Sequence, residues 1–189
     1  MNRWTRNILF ALGALLAAIL ACTINVGGPS YPTPAIPVST EAVAQLQQGI
    51  QTAVAAGEAS GQVSLVFTEP GLTSYLYYYL AGQSNPLITN PQVYLQEDQI
   101  RIYATARQGD LQAYVYIVLT ASVDDQGQLQ IAITSADFGP LPVPKELNNM
   151  LTAIIKEAYT GALGPVATGF RLETIVIANG VITLTGRTK

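Results

Sequence analysis

Apolar positions recur at two different periods along this chain, and the change of period divides it into elements. In "STEAVAQLQQGIQTAVAAG", Val43, Leu46, Ile50 and Val54 fall on one face of a helix. Ser39 or Thr40 can cap it, and Glu41 suits its first turn. "QVSLVFT" then alternates, with Val63, Leu65 and Phe67 on one side of a short strand. "TEPGLTSYLYYYLAGQ" returns to helical spacing, with Thr68 as N-cap, Pro70 in the first turn, and Leu72, Leu76, Tyr79 and Leu80 on one face. Tyr75, Tyr77 and Tyr78 border or oppose that face, which suits either core packing with each hydroxyl satisfied or an aromatic lining against lipid.

Two Asn-Pro turn signals in "SNPLITNP" precede a run of period-two segments. "QVYLQ" turns Val93 and Leu95 inward, and "QIRIYATAR" does so with Ile100, Ile102, Ala104 and Ala106. "LQAYVYIVLTA" follows with Leu111, Ala113, Val115, Ile117 and Leu119, then "QLQIAIT" with Leu129, Ile131 and Ile133. The joints "ED", "QGD" and "DDQG" are short and polar, as hairpins require. The other face carries Tyr94, Tyr103, Tyr114 and Tyr116 among Gln, Thr and Arg. "FGPLPVP" breaks the alternation, and Pro144 can open a third helix, with Leu147, Met150, Leu151, Ile154 and Ala158 in its stripe. Asn179-Gly180 between two β-rich runs is a strong hairpin signal, because a type I′ turn needs positive φ at both positions. Helices interspersed with antiparallel strands predict an α+β fold: a β-meander and a C-terminal hairpin packed on two to three amphipathic helices.

The first residues follow neither period. "MNRWTRN" carries Arg3 and Arg6 without an acid, and Ile8 to Ala21 is an unbroken apolar run of 14 residues. That run is short of the ~20 residues a membrane-crossing helix needs, and the layout is that of a secretory signal. The only cysteine, Cys22, comes next, followed by the Gly/Pro/Ser/Thr-rich "TINVGGPSYPTPAIPVST". The sequence therefore predicts a signal at 1–21, an extended and unpacked linker at 22–38, and one domain at 39–189.

Composition removes several classes of function. One cysteine cannot form an internal disulfide, and the chain has no histidine. The usual partner of a nucleophilic Ser or Cys is thus missing, as is the commonest transition-metal ligand. No metal and no other cofactor is expected. The net charge is −3, with no cluster of Lys and Arg, so there is no footprint for nucleic acid. Loss of residues 1–21 would remove two of nine basic residues and none of twelve acidic ones, leaving a balance of −5. An acidic domain is not drawn to anionic lipid, so holding it at a membrane falls to an acyl chain.

"ILAC" resembles the lipobox of bacterial lipoproteins, with Ile19, Ala21 and then Cys22. Leu20 departs from the pattern, which usually has a small or β-branched residue there. The resemblance implies a diacylglyceryl group on the Cys22 thiol, cleavage before Cys22 and further acylation with palmitate-type chains. It also implies export, with the domain tethered to the outer face of the cytoplasmic membrane or elsewhere in the envelope. Further along, "FTEPGLTSYLYYYL", "NPLITNPQVYLQEDQIRIYATA", "GQLQIAITSADFGPLPVP" and "LETIVIANGVITLTGR" follow one another across residues 67 to 187. Their order resembles the YpmS-like envelope proteins and, more distantly, the LmeA-like phospholipid-binding proteins of the broader TULIP-type group. This implies lipid handling at the envelope.

No catalytic arrangement stands out. Asp124-Asp125, Glu97-Asp98 and Asp137 all lie in turn contexts, and the serines have no histidine to activate them. Arg101 and Arg107 flank Tyr103 on the polar sheet face, where they could hold a lipid phosphate, although a solvated face accounts for them as simply. The sequence thus predicts a non-enzymatic, membrane-anchored module for a phospholipid or fatty acyl ligand. Leu76, Tyr79, Leu80, Arg101 and Tyr103 are its candidate contacts. The alternative is a structural or protein-interaction lipoprotein with a filled core, using its tyrosine-rich face against a partner.

Overall fold

In the computed structural model, residues 24–84, 86, 88–140 and 170–188 are described. The signal and the third-helix stripe from Pro144 to Ala158 lie outside them. The described elements are β1 (Ile24–Asn25), α1 (Thr40–Ser60), β2 (Gln62–Thr68), α2 (Glu69–Ala81), β3 (Ile88–Gln96) and β4 (Gln99–Gln108). β5 (Leu111–Val123), β6 (Leu129–Asp137), β7 (Phe170–Ala178) and β8 (Val181–Thr188) complete them. The fold is α+β, with the meander β3–β6 and the hairpin β7–β8 packed on helices.

Local chemistry sets the element ends. The Ser39 hydroxyl accepts from the Ala42 N–H at 3.1 Å, and α1 stops at Gly61, which is left-handed at φ 74°. Thr68 is at once the last residue of β2 and the N-cap of α2, its hydroxyl accepting from the Gly71 N–H at 3.3 Å. Glu97-Asp98 and Asn179-Gly180 have positive φ at both positions, as two-residue hairpins need. In the β5–β6 turn the Asp124 carboxylate accepts from the Gln126 and Gln128 N–H groups and from the Gln130 side chain. Those bonds, the Gln128 one foremost, hold its pKa below the usual carboxylate range. A depressed carboxylate stabilises the fold while ionised, and the contribution fades as pH falls through the folded-state value. Asp124→Asn should therefore lower the melting temperature at neutral pH, with the difference from wild type closing in acid. A gap that persisted unchanged at pH 2 would contradict this.

Two sheets result. In the larger, β5 is central: β4 covers one edge from Leu111 to Thr120, and β6 and β1 share the other. β6 pairs with Tyr116–Val123, whereas β1 runs parallel to Leu111–Gln112. In the smaller sheet β8 lies between β2 and β7. The C-terminal hairpin is thus completed by a strand more than a hundred residues earlier, a pairing the periodicity does not indicate. The Asn90-Pro91 signal, read from sequence as a turn, falls inside β3 instead. It forms an irregularity between Thr89 and Gln92, with Asn90 at φ 51°. A bulge is where a strand tolerates proline.

The predicted inward faces meet in one core. Val93, Leu95, Ala104, Val115 and Ile117 from the larger sheet join Val63, Leu65, Phe67, Ile182 and Leu184 from the smaller, with Ile50, Leu76 and Leu80 from the helices. Two inward expectations fail. Ile133 is 41% exposed on β6, which pairs only with β5, and Leu111, the first residue of β5, is 38% exposed. Conversely, Thr73 and Ser74 of α2 are fully buried although both are polar. Thr73 accepts from the Val93 N–H at 3.0 Å, and Glu69 accepts from the Leu95 N–H at 2.8 Å. α2 therefore supplies acceptors to the free edge of β3, which would otherwise be open for pairing.

Candidate functional site

At the margin of the core, near the end of β5, a cleft of about 490 Å³ lies between residues of the two sheets, with Ile177 of its lining itself buried at 3% exposure. Ala121 and Val123 of β5 form one apolar wall, and Ile175 and Ile177 of β7 form the other. Ser122, Thr174, Asp98 and Glu173 supply the polar groups. The register explains the arrangement. β7 slips against β8 between Leu172 and Thr174, so Glu173 is the extra residue of a bulge and pairs with Arg187 at 2.8 Å. The Asp98 N–H donates to the Ile177 carbonyl at 3.3 Å, which ties the β3–β4 turn to the cleft wall. The volume lies within the usual range for small-ligand sites, about 300–1,000 Å³. Apolar walls with carboxylates suit an acyl chain ending in a hydroxyl or ammonium group.

The residues singled out from sequence are not brought together. Leu76 and Leu80 are buried in the shared core, at 9% and 3% exposure. Tyr79 is half-buried and stacks on Tyr75, ring centres 6.4 Å apart. Arg101 and Tyr103 sit on the opposite face of the larger sheet, where Arg101 pairs with Glu97 and bonds Gln99 at 3.2 Å. Tyr103 packs on Tyr116 at 4.7 Å and on Tyr94 at 5.7 Å. None of these five residues lines the cleft.

That tyrosine face is covered in part by the chain itself. Composition predicts an unpacked linker before residue 39, but its described part crosses the sheet as a strap. The Val26 N–H donates to the Gln112 carbonyl and the Tyr114 N–H to the Gly27 carbonyl, both at 2.9 Å. Gly28, at φ 115°, then turns the chain onto the face, so close that a Cβ would stand 2.3 Å from the Tyr114 carbonyl oxygen. Tyr31 packs on Tyr114 and Tyr103, and its hydroxyl donates to the Asn90 carbonyl at 3.1 Å and lies 3.2 Å from the Thr105 hydroxyl. Burial pushes that hydroxyl's pKa up to about 12, against the opposing pull of the Thr105 bond. The Gln92 amide accepts from the Ile36 N–H at 2.6 Å and donates to the Ile36 carbonyl at 3.2 Å. Finally the Ser39 N–H reaches the Ser74 hydroxyl at 3.1 Å. A segment rich in Pro and Gly has little regular pairing of its own, so side chains of the sheet satisfy its backbone.

The cleft residues carry little signal in the sequence. Ala121, Val123, Ile175 and Ile177 alternate like any strand positions, and nothing in the period says that a cleft lies there.

Fold and site define an α+β domain of two antiparallel sheets with a cleft between them and a strap across its outer face. The chain matches no protein-family model and no curated protein. Among solved structures it is similar to a crystal structure of lipopolysaccharide binding protein, at 12% identity and a TM-score of 0.27. That alignment covers 80% of this chain and 48% of the other, so the chain spans about half of that structure's length. A fit this loose leaves the functional argument to the chain's own residues.

Proposed function

We propose that this protein is a non-enzymatic envelope lipoprotein, anchored through an acylated Cys22, that holds one lipid acyl chain in the cleft between its sheets. The observation that carries the reading is the cleft itself, with apolar walls contributed separately by β5 and β7 and polar groups beside them. Burial of each acyl CH₂ contributes about 0.8 kcal/mol, so a chain inserted for part of its length binds measurably. Glu173 is already paired with Arg187, so the Asp98 carboxylate is the group that favours a head group bearing an amine or hydroxyl. The "ILAC" signal supports the anchor. The filled-core alternative relies on the tyrosine face as its partner surface, and the strap already occupies part of that face, against Tyr94, Tyr103 and Tyr114.

The test is uptake of a fluorescent fatty acyl probe by the chain beginning at Cys22, purified without detergent. Ala121→Trp fills the cleft from one wall, and Ile175→Asn makes the other wall polar. Both should cut uptake at least about tenfold, since losing two or more buried CH₂ groups at ~0.8 kcal/mol each exceeds the 1.4 kcal/mol that a factor of ten represents. Melting curves on the same samples confirm that the variants are folded. Wild-type protein that takes up no probe and carries no lipid in native mass spectrometry would overturn the lipid reading.

A further inference from the structure

Strap and cleft lie at the two ends of one strand, β5. Only Thr23 separates Cys22 from Ile24, and the Ile24 backbone is in register with Leu111 at the start of β5. Two residues span at most about 7 Å, whereas a free linker over 22–38 would let the domain roam about 55 Å. β5 then runs ten residues from Leu111, about 33 Å, before Ala121, Ser122 and Val123 reach the cleft. Charge follows the same axis. Glu97, Asp98, Asp124 and Asp125 gather in the two turns at the far end, where Arg101 pairs with Glu97 and Arg171 bonds the Asp125 carbonyl, leaving acid in excess. The β4–β5 turn carries exposed Arg107 and Leu111 beside Asp110. Anionic lipid repels the first group and tolerates the second.

We infer that the docked strap holds the domain upright on its membrane, with the β4–β5 turn against the lipid and the cleft opening away from it. This rests on the reading of Cys22 as the acylated residue. The strap makes the orientation durable, because it is fixed at Val26, Tyr31 and Ile36 rather than at a single point. Its consequence is that the ligand comes from beyond the domain, on the side facing away from the leaflet that carries the anchor.

The test uses the acylated protein in phosphatidylethanolamine/phosphatidylglycerol vesicles that contain lipid with a nitroxide on its head group. Asp110→Cys and Asp125→Cys, in separate variants, each place one thiol-reactive fluorophore at a turn, because acylation leaves Cys22 unreactive. Strong quenching at position 110 with little at 125 is the expected result. Releasing the strap with Tyr31→Ala and Gln92→Ala together should bring the two positions toward equal quenching, with circular dichroism confirming the fold. Equal quenching at 110 and 125 in the otherwise native protein, with Cys22 acylated by mass spectrometry, overturns the orientation and leaves the anchor intact. An unmodified Cys22 thiol on native protein removes the anchor, and the orientation falls with it.

Discussion

Leu80→Ala is expected to cost about 2–5 kcal/mol of folding stability and to leave probe uptake by the folded fraction unchanged. Leu80 is 3% exposed on α2, inside the cluster that joins both sheets to the helices. Truncation there removes buried apolar surface and leaves a cavity that the surrounding strands cannot easily close. For a chain of this size each kcal/mol shifts the melting temperature by roughly 2–4 °C, so the loss is easily read. Leu76→Ala should behave alike, being on the same face. The pair separates two roles that sequence leaves merged, because a groove-lining leucine would affect uptake before stability. If Leu80→Ala abolishes uptake while melting normally, the ligand lies under α2 and not between β5 and β7.

Thr73→Val should destabilise by about 1–3 kcal/mol even though the two side chains have nearly the same shape. Thr73 is wholly buried, and its hydroxyl accepts the Val93 N–H at 3.0 Å. Valine keeps the packing and removes the acceptor, leaving a strand N–H buried without a partner. Thr73→Ser retains the acceptor and should cost much less. Amide exchange at Val93 provides a local readout, with protection falling in Thr73→Val and holding in Thr73→Ser. Equal stability of all three proteins would mean that α2 does not cap this edge of β3.

Much of the architecture was legible because it follows from short-range rules. The caps Ser39 and Thr68, the Asn179-Gly180 turn and the inward alternation of β4 and β5 all depend on residues within a few positions of one another. The Asn90-Pro91 signal misled for the same reason. A proline breaks an isolated strand, but a bulge with tertiary support on both sides absorbs it. The candidate site was less legible still. Helical spacing correctly put Leu76, Tyr79 and Leu80 on one face, yet a core face and a groove face have the same period. Arg101 and Tyr103 lie on the polar face of the sheet, as the alternation placed them, and the cleft lies elsewhere.

By itself the sequence determined α1, α2 and the strands β2 to β8, the α+β class, the absence of any histidine chemistry and the position of the one cysteine after an apolar run. Each of these is a property of composition or of local spacing. Only the tertiary structure decided that β2 completes the C-terminal hairpin as a sheet, that α2 seals the edge of β3, and that a cleft lies between Ala121 and Ile175. It also turned a Pro/Gly-rich segment from an expected free tether into a strap. The physical reason is the same throughout. These features depend on which surfaces meet across many residues of separation, and a backbone donor or an apolar face looks identical in sequence whatever partner it finds.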